Sequence, residues 1–371
     1  MIIRLLKKLK VNRIIYRVAL KFSKDKETRH NIKEAIYLLE QFSPDPKTSC
    51  LIPERPVESK QYDLDIIVPA YNVEQYIGEC LNSVLSQSTK WSYRVIVIND
   101  GSTDRTGQII DTYKEDKRVK IIHQKNRGFS GARNRGLDEL DSKYVTFLDS
   151  DDILMPHAIE SFLDKAFEFD AAVVETGFSY ISQAGKTKRI EKHKGGLLDP
   201  KEDLWGFTCG KILKSDLFTN IRFPEKFWFE DSIMKQIIFP IVIRNDWNAY
   251  GIEEPLYCYR NNQNGISRTS GGRRKSIDTV WITLALYQDR NKLGLKNTQA
   301  YYEDILDMVK LSYTRTKRMP QDIQKAVFTI YADFIKKNLS EFRTKKTENR
   351  DLEMALYKGQ FKKYKLFCDL F

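Results

Sequence analysis

The 371-residue chain has few of the residues that staple a fold or cage a structural metal. Its five cysteines (Cys50, Cys80, Cys209, Cys258 and Cys368) are scattered and form no CxxC pair, and its four histidines do not cluster. That excludes a zinc ribbon or finger and suits buried, idle thiols in a reducing compartment. No run approaches the roughly eighteen uninterrupted apolar residues of a membrane span. Basic residues interrupt any apolar core near the start, so a cleaved leader is not expected. No internal repeat is visible. RNP, KH and helix-turn-helix signatures are also missing, so nucleic acid is not the expected partner despite a net charge of +12.

What the chain does have is enough apolar material for a sizeable core: 41% hydrophobic and 12% aromatic residues, too much for a disordered chain. The positive balance points to an anionic partner. Part of it lies in residues 1–24, which carry eight Lys/Arg and no Asp or Glu. There Arg13, Arg17, Lys21 and Lys24 form a stripe opposite Ile14, Ile15, Val18 and Phe22 on a helical wheel. Such a helix suits either an anionic membrane surface or packing on its own protein. The location expected is cytoplasmic, with a peripheral place on the inner face of the cell membrane compatible with that helix.

Three regions follow from the pattern. Residues 1–60 are a basic amphipathic segment and a Pro-rich linker, 61–272 a catalytic domain, and 273–371 a helical region. Strands are predicted over residues 66–69, 93–98, 119–123 and 144–148. Helices are predicted between them over 74–87, 103–115 and 130–140. This alternation means an α/β fold: an open, mostly parallel twisted sheet flanked by helices, with ligands at the C-terminal strand ends. Beyond residue 273 the period is helical, through 277–288, 301–312 and 323–335. The tail over 356–371 mixes lysines with aromatic residues, as a membrane-surface element or an oligomer contact would; the oligomeric state is open.

Each predicted strand ends in a polar cluster: Val68-Pro69-Ala70-Tyr71-Asn72, Asn99-Asp100-Gly101-Ser102-Thr103-Asp104, the segment from Asn126 to Gly136, and Asp149-Ser150-Asp151-Asp152. One such turn is an ordinary helix start with a cap. Four at one edge of one sheet point to a ligand site. Carboxylates converging at a strand end suit a hard divalent cation, especially one that also holds a diphosphate. Asp100 can accept a hydrogen bond from a base N–H, Tyr71 can stack on a base, and the permanently charged fork of Arg133 suits phosphate. The glycines 128, 131 and 136 do not follow the dinucleotide fingerprint, which argues against a Rossmann dehydrogenase.

In combination the motifs VPAYN, NDGSTD, NRGFSGARNRG, DSDD and the later Phe229-Glu230-Asp231 resemble family 2 glycosyltransferases of the GT-A fold, over roughly residues 65–270. The resemblance implies a nucleotide-sugar donor, a UDP-sugar by expectation, and transfer with inversion. It implies that Pro69, Ala70, Tyr71, Asn72 and Asp100 surround the base and ribose, with Asn126, Arg133 and Ser150 completing the nucleotide pocket. Asp149 and Asp151 would be the DxD pair, Asp151 the direct ligand of Mg²⁺ or Mn²⁺. Asp231 would be the general base, with Glu230 as the alternative. Arg260, Ser267 and Arg268 would belong to a loop closing over the diphosphate.

Trp205, Lys211 and Trp228 are candidates for the sugar or acceptor wall, with core packing an equal alternative for both tryptophans. The acceptor expected is a glycan, a polyol phosphate or a lipid-linked glycan of a bacterial surface. The competing readings are a metal-dependent nucleotidyltransferase and a non-catalytic basic scaffold. The first would place a Gly-rich loop and a lysine where Ala70-Tyr71-Asn72 stands.

Overall fold

A computed structural model describes residues 16, 31–55, 60–262, 265 and 269–371. The expected basic N-terminal helix, Ser267 and Arg268 lie outside the described residues. The chain divides into two compact units, one comprising residues 48–265 with 286–295 and the other residues 1–47, 266–285 and 296–371.

The first unit is built on strand β1 (Tyr62–Ala70), whose residues 64–68 are buried in succession. Continuous burial of this kind marks a strand covered on both faces. β1 pairs in parallel with β2 (Tyr93–Asp100) and β4 (Ser142–Phe147), and β2 pairs in parallel with β3 (Val119–Gln124). The buried Asp65 is held by a two-pronged contact from Arg94, at 2.8 and 3.0 Å. The crossovers are α2 (Ile77–Leu85), α3 (Thr106–Asp111) and α4 (Gly128–Leu137). α4 lies close on β1, because a Cβ at Gly136 would come within 2.5 Å of the Ile67 side chain.

Every strand and helix predicted in this half is present. Register brings the strand ends level, with Ala70 opposite Asn99 and Asp100 opposite Gln124.

Beyond β4 come β5 (Ile153–Leu154), α5 (Ala158–Glu168), β6 (Ala171–Ile181), β7 (Thr187–Glu191), β8 (Gly196–Leu198), β9 (Lys211–Lys214), α6 (Phe239–Arg244) and β10 (Asn248–Arg260). The sheet runs β3-β2-β1-β4-β9-β6-β10-β5, with β7 on β6 and β8 on β10. β9 is antiparallel to both β4 and β6, while β6 and β10 are parallel to each other. The C-terminal ends of β6 and β10 therefore point to the same edge as Asp149.

In the second unit α1 (Ile32–Phe42) packs with α9 (Gln321–Asn338). α7 (Asp278–Lys292) starts in this unit, and α8 (Gln299–Thr316), α10 (Arg350–Tyr357) and α11 (Phe361–Leu370) complete it. Phe361, Tyr364, Phe367 and Leu370 recur every third residue on α11 and are buried. Tyr364 meets Tyr313 edge-on at 5.5 Å and Phe328 at 4.9 Å. The aromatic side of the tail is thus internal packing in this unit. Among the described residues no helix is long and apolar enough to cross a membrane.

Candidate active site

The four polar strand ends meet at one edge and are tied together by their own side chains. Asn72 sits in the left-handed region (φ 51°). Its Oδ1 accepts from the Thr103 N–H at 2.8 Å, and its own N–H donates to Ser102 Oγ at 3.1 Å. Gly101 (φ 72°) lets the second turn press against the third, since a Cβ there would lie 2.8 Å from the Asn126 nitrogen. Asp100 is buried, and one oxygen accepts from Gln124 Nε2 at 2.7 Å and from the Arg127 N–H at 2.8 Å. Beside this rim Tyr71 is half exposed, while Ala70 and Ser150 are buried and Asn126 is exposed. Pro69 is half-buried next to them.

The decisive contact is made by Arg133, on α4. Its Nη2 donates to Asp149 at 2.9 Å and its Nη1 to Glu230. Two acids 81 residues apart in sequence thereby share one cation. Arg133 is buried, and the carboxylates overcome the desolvation that would lower its pKa, leaving it raised. Its Nε and the Ser130 hydroxyl are buried without a partner among the described residues. Buried polar groups rarely stay unsatisfied, which makes these two donors candidates for a ligand contact. Asp149 retains about a third of its side-chain surface.

The pair Glu230-Asp231 begins a short 3-10 turn after Phe229, which is itself left-handed (φ 66°). A bulky residue held there is strained, and such strain clusters at functional sites. Burial pushes the Glu230 carboxyl up to about 7; Arg133 opposes this and Asp231 adds to it. Asp231 is raised as well, chiefly by burial. Trp228 is half-buried just before this turn.

The end of β10 holds the acidic turn from the other side. Asp152 is buried and accepts from the Tyr257 hydroxyl and the Arg260 N–H, both at 2.7 Å. The same hydroxyl accepts from the Asp149 N–H at 3.2 Å. Asn262 Nδ2 donates to Asp151 Oδ2 at 3.0 Å, while burial raises the Asp151 carboxyl. Arg260 was expected as a phosphate contact. The structure buries it, with Nε on the Asp151 carbonyl, Nη1 on the Gln183 carbonyl and Nη2 on Glu79, so it braces the turn.

Lys211 is likewise wholly buried, bonded to Glu175 and to the Trp205 carbonyl, and Trp205 stacks on Phe178 at 5.7 Å. Lys211 therefore does not stand open on a wall, while Trp205 is half-buried. Asp152 and Tyr257 had no role in the sequence reading. The only signal for them was the charge of the third acid in that turn and the polarity of the segment leading into Arg260.

Comparison with known proteins agrees with this geometry. The glycosyl transferase family 2 model matches residues 65–280. "Glycosyltransferase GlyA" of Streptococcus pneumoniae is 31% identical over 55% of this chain, a match spanning 31% of that protein. "Uncharacterized glycosyltransferase EpsJ" of Bacillus subtilis is 30% identical over 55% of this chain and 62% of its own length. These two relatives are thus matched over less than two thirds of their own length. Among solved structures, S. aureus TarS in complex with UDP-GlcNAc superposes with a TM-score of 0.63 at 17% identity, covering 82% of this chain and 89% of that one. This likeness shows the GT-A-type fold. With more than half of its residues inside the family model, the chain belongs to glycosyl transferase family 2.

Proposed function

We propose that the protein moves a sugar from a nucleoside-diphosphate donor, a UDP-sugar, to a hydroxyl acceptor in one displacement with inversion. The observation that carries this is the Arg133 fork, which joins the acid turn at Asp149 to the acid pair at Glu230-Asp231. The TarS complex with UDP-GlcNAc, on the same fold, supports a uridine nucleotide. Tyr71 stacks on the base, Asp100 accepts its N–H, and the open Arg133 and Ser130 donors face the phosphates.

Asp231 takes the proton of the acceptor hydroxyl while the oxygen bonds to the anomeric carbon. The bond from that carbon to the diphosphate breaks, and UDP leaves with the electron pair. Glu230 is held by Arg133, which leaves Asp231 as the base. With one base and no enzyme nucleophile the configuration inverts.

Asp149 and Asp151 fit a divalent ion, Mg²⁺ or Mn²⁺. Among the described residues no cage of three or more His, Cys, Asp or Glu side chains exists. A pair of carboxylates completed by substrate phosphates is the set such an ion takes in phosphate sites. When bound, it would neutralise charge growing on the diphosphate. The acceptor we infer is a glycan, polyol phosphate or lipid-linked glycan of the cell surface, approached from an anionic membrane. The basic stripe in residues 1–24 supports that reading.

The test is a screen of UDP-, GDP- and dTDP-sugars for hydrolysis with Mg²⁺ or Mn²⁺, repeated with Asp151→Ala. The expected result is metal-dependent turnover of a UDP-sugar that Asp151→Ala lowers by at least about 100-fold. Full activity in that variant would sink the metal assignment.

A further inference from the structure

Residues 205–210 form a loop whose two ends are fixed by hydrogen bonds. At one end Glu175 Oε2 accepts from the Trp205 N–H at 2.9 Å, and Lys211 Nζ donates to the Trp205 carbonyl at 2.6 Å. The ion pair between Glu175 and Lys211 thus grips both backbone atoms of one residue. At the other end the Thr176 N–H donates to the Gly210 carbonyl at 3.0 Å.

Between these anchors Phe207 is 48% exposed, resting edge-on against Phe178 at 5.6 Å. Thr208, next to it, is only 5% exposed, and its hydroxyl has no partner among the described residues. A fixed loop that presents a bare ring beside an unpartnered buried hydroxyl is preorganised for a ligand with one apolar face and a hydroxyl rim.

The loop's position shows which ligand. On one flank Phe178 meets Tyr257 at 5.4 Å, and the Tyr257 hydroxyl holds Asp149 and Asp152. Cys209 lies near the same acids: burial first, then Asp149 and Asp152, push its thiol up. On the other flank a Cβ at Gly206 would sit 3.2 Å from the Lys235 side chain, one helical turn beyond Asp231. The loop is thus linked through Phe178 and Tyr257 to the acid turn, and its Gly206 lies against Lys235, four residues beyond Asp231.

We propose that Phe207 and Thr208 are the sugar platform of this enzyme: the Phe207 ring stacks on the C–H face of a pyranose and the Thr208 hydroxyl bonds its rim. This rests on the sugar-transfer reading above and names the residues that recognise the sugar, which the sequence had sought in Trp205 and Lys211. The pyranose is the donor's or the acceptor's, and the experiment separates the two.

Wild type, Phe207→Ala, Phe207→Tyr and Thr208→Val are compared for calorimetric affinity toward UDP and UDP-GlcNAc with Mn²⁺. Initial rates of transfer to simple alkyl pyranosides are measured alongside. For a donor platform, Phe207→Ala weakens UDP-GlcNAc about tenfold and leaves UDP unchanged. For an acceptor platform, both nucleotide affinities hold and the KM for the pyranoside rises by a similar factor. Phe207→Tyr restores the loss in either case. Thr208→Val lowers affinity for the same ligand while thermal stability holds or rises, since it removes an unsatisfied group. Unchanged UDP-GlcNAc affinity together with unchanged pyranoside KM in Phe207→Ala overturns the platform. Failure of wild type to bind UDP at all overturns the donor reading instead, and the platform with it.

Discussion

The catalytic unit contains two buried knots of opposite charge, and they differ in one respect. In the first, Arg133 joins Asp149 and Glu230, yet its Nε and Ser130 Oγ lack partners and Asp149 reaches solvent. In the second, Lys211 pairs with Glu175 under Trp205, and His193 Nε2 lies 3.3 Å from Glu175 with Nδ1 donating to the Lys194 carbonyl at 2.9 Å. There both charged partners are fully covered. An ion pair in the core is weak evidence for stability, because desolvation offsets most of the attraction. What separates the two is access: Asp149 in the first knot reaches solvent, while every charged member of the second is covered.

The sharpest way to break that contrast is chemical. Asp231→Asn should cut kcat by about 10²–10⁴-fold while UDP affinity, read by calorimetry, stays intact. Lost UDP affinity would mean that the acid pair binds nucleotide, and the open knot would no longer divide into a leaving-group half and a base half.

The closed knot should respond in stability. Lys211→Met leaves Glu175 buried without its cation and should cost about 3–5 kcal/mol in denaturant unfolding. The double change Glu175→Leu with Lys211→Met should recover much of that loss. If the double variant is no better than the single, the pair contributes more than a brace.

Two pH profiles sharpen the comparison further. The Glu230-Asp231 pair holds a proton unusually well, with Glu230 pushed up to about 7. Activity requires the ionised Asp231, whose carboxyl burial also raises, so kcat/KM should fall as pH drops through a pKa above the ordinary aspartate value, and a flat profile from mild acid to neutrality would contradict it.

The smallest effect belongs to His193. Burial alone would lower its pKa, but Glu175 and the Lys194 carbonyl outweigh that and raise it from 6.5. A raised folded pKa stabilises fully below the unfolded value and is lost as pH rises through the folded one. Wild-type stability relative to His193→Gln should therefore decline above neutral pH. An unchanged difference across that window would show that His193 is uncoupled from Glu175.

Much of this was legible from residue order. The parallel half of the sheet announces itself through apolar runs alternating with capped helices, and its four polar ends had to share an edge because parallel strands with crossovers align that way. The half from β5 to β10 was not legible in the same manner. β5, β7, β8 and β9 are short and antiparallel, and for β5, β8 and β9 what pairs them lies far away in sequence, while β7 only folds back on β6.

The same distance hid the functions of single residues. Arg260 and Lys211 read as free cations because a sequence shows charge without its partner. Asp152 read as a third acid of no set purpose until Tyr257 and Arg260 were placed on it.

By itself the sequence determined the fold class and the family, since each rests on local pattern: strand periodicity, turn chemistry and a few motifs of fixed spacing. Only the tertiary structure decided which charges stay open to solvent and which are consumed inside. That outcome depends on partners as remote as Glu230 for Arg133 and Glu175 for Lys211, and on whether every donor and acceptor in the closed protein already has one.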